Sequence, residues 1–329
     1  MVNRGSAGHK INNMELYEKH ATLFPRQLSS KTIRTGNLEN LKKGSFDSVV
    51  IVGMGGSGAV GTAFENTAAA IGLRCPVSAV KNYRLPETVS KNPLFIFVSF
   101  SGDTEETLAA ADEALKKIGK KNVALVTSGG NMKRIAGEKR LAFAAFSPGD
   151  LTPREASGIM YYGVFKILEA AFEVRIPKFT LATPASLARL GKKIAGNIDG
   201  NIIIYSQNEL SHVSTIWKNN FNETGKNAAF MNTYPEMNHN EIEGFGHIEG
   251  RWTVILLDDF KRFAKKKDFL VRELKEKKIS TLEIAIPGKG IFEKTWNGIM
   301  LSHFTSFFLA KRHKKNPTEV DVIRRLKQL

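Results

Sequence analysis

The stretch SVVIVGMGGSG at residues 48–58 decides the fold class. Its apolar opening predicts a strand buried on both faces, as in a parallel sheet covered by helices. The strand ends in a turn with four glycines (the first turn, residues 53–58), directly before a helical pattern. Such a turn lets backbone N–H groups and the positive end of a helix approach an anion. The stretch therefore predicts an α/β domain with an anion site where its first strand ends.

Strand and helix patterns alternate twice along the chain. After an N-terminal helix, the first series is predicted to have strands at 48–53, 77–80, 94–100, 122–127 and 141–146 and helices at 57–72, 104–118, 131–138 and 154–172. After a linker at 173–182, the second has strands at 201–205, 228–232, 252–257 and 281–286 and helices at 184–197, 210–225, 265–278, 291–313 and 318–328. We therefore expect two tandem doubly wound domains, each with a central parallel sheet flanked by helices. The predicted boundaries are 1–44 for the N-terminal helical segment, 45–175 for the first domain and 176–329 for the second, which includes the C-terminal helix.

The composition excludes several classes of protein. The single cysteine, Cys75, excludes a disulfide scaffold and a cysteine-based metal cluster, and it favours a reducing compartment. The N-terminus has no apolar core of a signal peptide. The longest nearly apolar window, 299–310, is shorter than the roughly 20 residues that span a bilayer. We expect a cytoplasmic protein with no membrane partner.

The net charge of +16 raises the question of an anionic partner. Two windows, 261–278 and 311–329, contribute +6 and +5 of it. The first is typical of an amphipathic helix with Phe269, Leu270 and Leu274 inward and its bases in solvent. No nucleic-acid-binding motif accompanies the charge, so we expect mainly surface charge and no nucleic-acid partner.

A second anion-friendly turn, SFSGDTEET, occupies residues 99–107. Strand alternation places Ser99 and Ser101 on one face, Gly102 turns the chain, and Thr104 can cap the next helix. In a parallel sheet this second turn shares the carboxyl edge with the first. Each turn alone also fits ordinary helix capping, but the two together favour a phosphate cradle.

The glycines of the first turn also fit the pattern GxGxxG. A dinucleotide site would need an acidic residue about 20 residues further on, at the end of the second strand. Lys81 and Asn82 stand there instead. This interpretation is therefore disfavoured.

The two turns resemble the phosphosugar-binding turns of the sugar isomerase (SIS) domain family. A tandem SIS chain of this length resembles the phosphoglucose isomerase superfamily. Four further motifs narrow the resemblance to the bifunctional phosphoglucose/phosphomannose isomerases of archaea and some bacteria: TPREASG at 152–158, FNETGKN at 221–227, YPEMNHNEI at 234–242 and EVDVIRRLK at 319–327. The resemblance covers about residues 40 to 329.

The resemblance implies an activity and its catalytic residues. The family interconverts glucose 6-phosphate and mannose 6-phosphate with fructose 6-phosphate, by ring opening and a cis-enediol(ate), in glycolysis and gluconeogenesis. It implies Glu223 as the base, Arg154 as the cation for the enediolate, and Lys327 near the ring-opening step. It implies His239 as the ring-opening histidine, supplied across a homodimer interface.

The resemblance also implies how the substrate is held. Its phosphate ligands carry over to Gly56, Ser57, Ser99, Ser101 and Thr104. Thr318 is the candidate for tolerance of the mannose epimer.

Neither a cofactor nor a metal is expected. One carboxylate can move a proton between two carbons without either, and the seven histidines show no HExxH motif or close ligand spacing. Two alternatives stay open. A non-catalytic phosphosugar-binding SIS regulator, or another SIS sugar-phosphate isomerase, would share the cradle but not the whole catalytic set.

Overall fold

The computed structural model describes residues 12–258 and 260–326. Its strands are β1 (Arg34–Gly36), β2 (Ser48–Val52), β3 (Val77–Val80), β4 (Pro93–Ser99), β5 (Val123–Thr127), β6 (Ala142–Ala145), β7 (Asn201–Gln207), β8 (Ala229–Tyr234), β9 (Trp252–Leu257) and β10 (Ser280–Ile284). Its α-helices are α1 (Asn13–Leu23), α2 (Gly55–Thr67), α3 (Glu105–Lys117), α4 (Gly130–Lys139), α5 (Ser157–Ala171), α6 (Pro184–Asn197), α7 (Ser211–Glu223), α8 (Glu241–Gly244), α9 (Ala264–Glu276), α10 (Ile291–Arg312) and α11 (Asp321–Leu326).

The strands form two sheets, one in each half of the chain. The first sheet has the order β1-β6-β5-β4-β2-β3 and is parallel except for β1. The second has the order β10-β9-β7-β8 and is parallel throughout. The predicted α/β class with central parallel sheets is confirmed.

Strand alternation divides the apolar residues of β2 between two cores. Val49 and Ile51 face the layer of helices between the two sheets, where they join α2 and α5. Val50 and Val52 face outward, beneath α3 and α4. The strand is apolar on both faces because both faces are covered, as the continuous apolar run predicts.

One continuous core joins the two halves of the chain. It contains residues of α2 and α5 from the first half and of α6, α7 and α10 from the second. The aromatic rings of Tyr161 in α5 and Trp296 in α10 meet edge to face at 4.7 Å. A separate core lies between the second sheet and α9. The layer of helices between the sheets holds the two halves in a fixed relation.

The fold differs from the sequence prediction in several places. Strand β1 was not predicted, because its three residues have no apolar run; it pairs antiparallel with β6 at the edge of the first sheet. The prediction that Phe269 points inward is wrong: its side chain is 47% exposed, whereas Leu270 and Leu274 are buried. Within the described ranges, the structure has no helix long and apolar enough to cross a membrane.

Candidate functional site

The first turn joins β2 to α2 and leaves the start of that helix open. Gly55 has a φ of +52°, a left-handed conformation that favours glycine. A Cβ on Gly53 would lie 2.8 Å from the carbonyl oxygen of Val98, and one on Gly56 would lie 3.2 Å from that of Pro153. Among the described residues, no side chain caps α2, and the first N–H groups of a helix have no partner within it. The turn can therefore offer backbone donors to an anion.

The second turn lies beside the first, because β4 is the parallel neighbour of β2. Ser99 Oγ accepts a hydrogen bond from the Gly102 N–H at 3.0 Å and lies 2.8 Å from Thr104 Oγ1. Gly102 has a φ of +80°, and a Cβ there would lie 2.0 Å from the carbonyl oxygen of Gly129. Ser101 is exposed at the tip of the turn. The two turns thus share one sheet edge, as expected.

Ser57 presents its backbone rather than its hydroxyl to this edge. Its Oγ donates to Sδ of Met160 at 3.4 Å, and the residue is buried. Its N–H belongs to the first turn of α2. The hydroxyls that could bind an anion at this edge are therefore those of the second turn.

Arg154 is a buried cation between three segments of the chain. The sequence predicts a helix from residue 154, but α5 begins at Ser157, and Arg154 lies in the turn before it. Its Nη1 donates to Glu223 Oε2 at 3.1 Å, its Nε to Thr224 Oγ1 at 3.1 Å, and its Nη2 to the Pro317 carbonyl at 2.7 Å. These bonds fix the guanidinium in one orientation.

Gly56 connects this ion pair to the first turn. Its absent Cβ would lie 3.2 Å from the carbonyl oxygen of Pro153 and 3.7 Å from the Cα of Arg154, so the glycine lets the first turn pack closely against this segment. Arg154 in turn holds Glu223, the last residue of α7. The open end of α2, a fixed cation and a carboxylate therefore belong to one site.

Glu223 is accessible, and a second cation secures the helix end behind it. Its side chain is 31% exposed. Lys226, at a φ of +54°, donates from Nζ to the Glu223 carbonyl at 2.5 Å and also to the carbonyl of Glu319. Burial, together with the nearby Arg154, lowers the pKa of the Lys226 ammonium.

A buried chain of polar groups supports Arg154 from behind. Thr224 Oγ1 donates to the Tyr17 hydroxyl at 3.3 Å, and this hydroxyl lies 2.9 Å from His303 Nδ1. Burial raises the pKa of Tyr17 and lowers that of His303 to about 4. His303 is therefore neutral at physiological pH and adds no second positive charge behind the cation.

Glu155 does not pair with its neighbour Arg154. Its carboxylate bonds His20 Nδ1 at 2.9 Å and the N–H and hydroxyl of Thr152 at 2.9 and 2.5 Å. Burial opposes ionisation of Glu155, but these hydrogen bonds outweigh it and lower its pKa. The carboxylate that pairs with Arg154 is therefore that of Glu223.

His239 is not brought to Glu223 within one chain. Glu223 precedes β8 and His239 follows it, so the two lie towards opposite ends of that strand. A strand of six residues spans about 20 Å. His239 is exposed, in a short 3₁₀ turn.

Of the two C-terminal candidates, Thr318 and Lys327, the structure describes only the first. Thr318 follows Pro317, whose carbonyl Arg154 binds, and its Oγ1 donates to Asn316 Oδ1 at 2.9 Å. Lys327 lies outside the described residues. Among those that are described, no group of three or more His, Cys, Asp and Glu could hold a metal ion.

Three residues around the pair of Arg154 and Glu223 were not predicted as site residues: Thr224, Lys226 and Pro317. The first two fall within the motif FNETGKN, which was their signal in the sequence. Pro317 contributes only a carbonyl oxygen, for which a sequence offers no signal. Tyr17 and His303 also gave no signal, because 286 residues separate them.

Comparison with known proteins agrees with this fold. Residues 188–329 match the family model for the bacterial phospho-glucose isomerase C-terminal SIS domain. The crystal structure of tagatose-6-phosphate ketose/aldose isomerase from Escherichia coli is similar with a TM-score of 0.67 and 14% identity, over 95% of this chain and 96% of that one. The chain is thus an SIS-fold protein.

Sequence relatives define the family more narrowly. A bifunctional phosphoglucose/phosphomannose isomerase from Caldicellulosiruptor bescii is 30% identical over 88% of this chain and 91% of the relative. One from Aquifex aeolicus is 29% identical over 86% of this chain and 90% of the relative. The chain belongs to the bifunctional phosphoglucose/phosphomannose isomerase family.

Proposed function

We propose that the protein is an aldose–ketose isomerase that interconverts glucose 6-phosphate and mannose 6-phosphate with fructose 6-phosphate. The observation that carries the proposal is the contact of a partly exposed carboxylate, Glu223, with the buried Arg154 beside the open turn at Gly56. The names of the relatives supply the sugars.

In this proposal, Glu223 and Arg154 supply the two groups needed for proton transfer between the carbons. After ring opening, Glu223 takes the proton from one of the two carbons C1 and C2 and returns it to the other. The intermediate enediolate carries negative charge on oxygen, and the guanidinium of Arg154 stabilises that charge. Because hydrogen bonds already fix the guanidinium, it need not reorganise when the charge develops.

The two turns hold the substrate phosphate in this proposal. The first turn gives the N–H groups of Gly56 and Ser57 at the start of α2, and the second gives the hydroxyls of Ser99, Ser101 and Thr104. Neutral donors and a helix end suffice for a phosphate dianion. The shared edge of β2 and β4 supports this assignment.

We further propose that the working unit is a homodimer in which His239 enters the partner's site. The position of His239 beyond the far end of β8 supports an intermolecular role. We assign the ring-opening proton transfer to this histidine and to Lys327. The tandem domains at 45–175 and 176–329, a cytoplasmic location and a role in glycolysis and gluconeogenesis belong to the same proposal.

The variant Glu223→Gln tests the base. We expect kcat with fructose 6-phosphate to fall by about 10²- to 10⁴-fold, with binding of the sugar phosphate nearly unchanged, because only proton transfer is lost. Glucose and mannose 6-phosphates are assayed separately as products. Glu276→Gln, at the end of α9, is the matched control and should keep full activity. Unchanged turnover in Glu223→Gln would contradict the assignment.

Mixing inactive variants tests the dimer. If His239 crosses the interface, mixed subunits of Glu223→Gln and His239→Asn recover up to about one quarter of the activity, because half of the dimers are mixed and each has one intact site. Glu223→Gln mixed with Arg154→Met is the control: both residues belong to one chain's site, so nothing is recovered. No recovery in the first mixture would place His239 elsewhere.

A further inference from the structure

The chain's C-terminal segment, residues 314–320, is bound to the catalytic helix end by two cations. Arg154 donates to the Pro317 carbonyl at 2.7 Å, and Lys226 donates to the Glu319 carbonyl. Each of these cations also bonds Glu223: Arg154 its carboxylate and Lys226 its backbone carbonyl. Each of the two cations therefore links the segment to Glu223 independently of the other.

Lys226 can make this connection because of the way in which α7 ends. The N–H groups of Thr224 and Gly225 both bond the carbonyl of Asn220, which closes the last turn. Lys226 follows with a φ of +54°, a conformation that a residue with a side chain adopts at a cost. Glycine adopts this conformation at the least cost. Lys226 adopts it nonetheless, and its side chain makes the two bonds to the carbonyls of Glu223 and Glu319.

The ammonium group of Lys226 donates hydrogen bonds to two backbone carbonyls. One is at the end of α7, where helix carbonyls have no partner within the helix. The other is in a segment without regular secondary structure, where the side chain of Asn316 bonds Thr318 and Glu319. Ammonium-to-carbonyl bonds are charge-assisted and stronger than neutral ones.

We propose that Lys226 is a positioning residue that fastens the C-terminal segment over the base, so that this segment forms one wall of the sugar site. The inference rests on the proposed function. Lys226 acts through the segment, which carries Thr318, and it neither moves a proton nor stabilises the enediolate. Its loss therefore raises KM more than it lowers kcat.

Hydrogen–deuterium exchange of the full-length Lys226→Met variant tests the fastening directly. We expect amide exchange over residues 314–320 to speed up about tenfold, since loss of a charge-assisted hydrogen bond corresponds to at least that factor. Exchange in the strands of both sheets should not change. Lys226→Arg should restore protection, because a guanidinium can donate to both carbonyls. Lys192→Met, on the exposed face of α6, is the matched control and should match the wild type in both readouts.

Kinetics with fructose 6-phosphate supply the second readout. In Lys226→Met, KM should rise about tenfold, with a smaller change in kcat, and Lys226→Arg should reverse it. Unchanged exchange over 314–320 in Lys226→Met overturns the inference, even if KM rises, because Lys226 would then act on the sugar itself. Faster exchange in an enzyme with wild-type KM overturns the role of the segment as a wall. Exchange needs no turnover, so failure of the isomerase assay in the wild type would count against the proposed function alone.

Discussion

The two sides of the site are built by opposite means. The turns after β2 and β4 use backbone, and glycines keep side-chain atoms away from positions such as Gly102. The other side depends on the side chain of Arg154, which bonds the side chains of Glu223 and Thr224 and the backbone carbonyl of Pro317. The backbone side should fail when atoms are added, whereas the side-chain side should fail when atoms are removed. The following predictions test that difference, from the largest expected effect to the smallest.

Among these predictions, removal of the central guanidinium should have the largest effect. In Arg154→Met, we expect kcat for fructose 6-phosphate to fall by about 10²- to 10³-fold, the usual effect of losing one preorganised donor to a developing oxyanion. The variant should still fold, because most of the core lies elsewhere. Steady-state kinetics together with circular dichroism measure both properties.

Arg154→Lys refines this first prediction. It keeps the charge but cannot reproduce the fork of bonds to Glu223, Thr224 and Pro317. We expect an activity between those of Arg154→Met and the wild type. An Arg154→Met enzyme within about tenfold of wild-type activity would contradict the role of this cation.

Addition of one methyl group should damage the backbone side. Gly102 has a φ of +80°, and a Cβ there would lie 2.0 Å from the carbonyl oxygen of Gly129. We expect Gly102→Ala to lose about 2–4 kcal/mol of unfolding free energy, from left-handed strain and overpacking together. Urea denaturation measures the loss, and KM should rise because the second turn moves.

Gly137 provides the matched control within α4. A Cβ on Gly137 would meet no atom of the described residues within 4 Å, and its φ is not positive. Gly137→Ala should leave KM unchanged and stabilise the protein by about 0.5–1 kcal/mol, because alanine loses less entropy in a helix. If Gly102→Ala and Gly137→Ala had equal effects on KM and on stability, the claim that the backbone side fails when atoms are added would be wrong.

The side-chain region should also make stability depend on pH. Burial lowers the pKa of His303 to about 4 and that of His212 to about 3, against about 6.5 in an unfolded chain. Below pH 6.5 the unfolded chain takes up protons that the folded one resists, so stability falls as pH decreases. Between about pH 6 and 4.5 the loss should be about 1.4 kcal/mol per pH unit for each histidine.

The variant His303→Gln isolates this contribution. Its urea midpoint should depend less on pH than that of the wild type between pH 6 and 4.5, because one buried histidine has gone. Identical pH dependence in His303→Gln and the wild type would contradict the neutral state assigned to His303.

The sequence predicted the fold well, because local pattern determines most of it. The local sequence alone shows the long apolar runs of β2 and β4 and the glycine turns after them. Knowledge of the segments that they contact is not needed. Strand β1 was missed because its own sequence has no apolar run. It forms by pairing with β6, which lies about a hundred residues further along the chain. Phe269 was misplaced because a period of 3.6 does not tell how wide the buried face of a helix is.

The candidate site could be predicted only in part. The resemblance identified Arg154 and Glu223 as candidate catalytic residues. Nothing in their spacing indicated that they form an ion pair, because 69 positions separate them. The carbonyls of Pro317 and Glu319 could not be foreseen, because every residue has a carbonyl and only the fold selects two of them. Long-range side-chain contacts therefore had to come from the structure.

Two serines in the second turn should separate the contributions of side chain and backbone on the anion side. Ser99 is buried and accepts the Gly102 N–H at 3.0 Å, so it shapes the turn, whereas Ser101 is exposed at its tip. In Ser101→Ala, loss of one hydrogen bond to phosphate should raise KM by up to about tenfold, with kcat and the urea midpoint unchanged. Ser99→Ala should raise KM and also destabilise the fold by about 1–3 kcal/mol, because it leaves a buried N–H without its acceptor. If Ser101→Ala has no effect on KM, the Ser101 hydroxyl is not a phosphate ligand, and the anion side depends more on backbone than the proposed set of ligands implies.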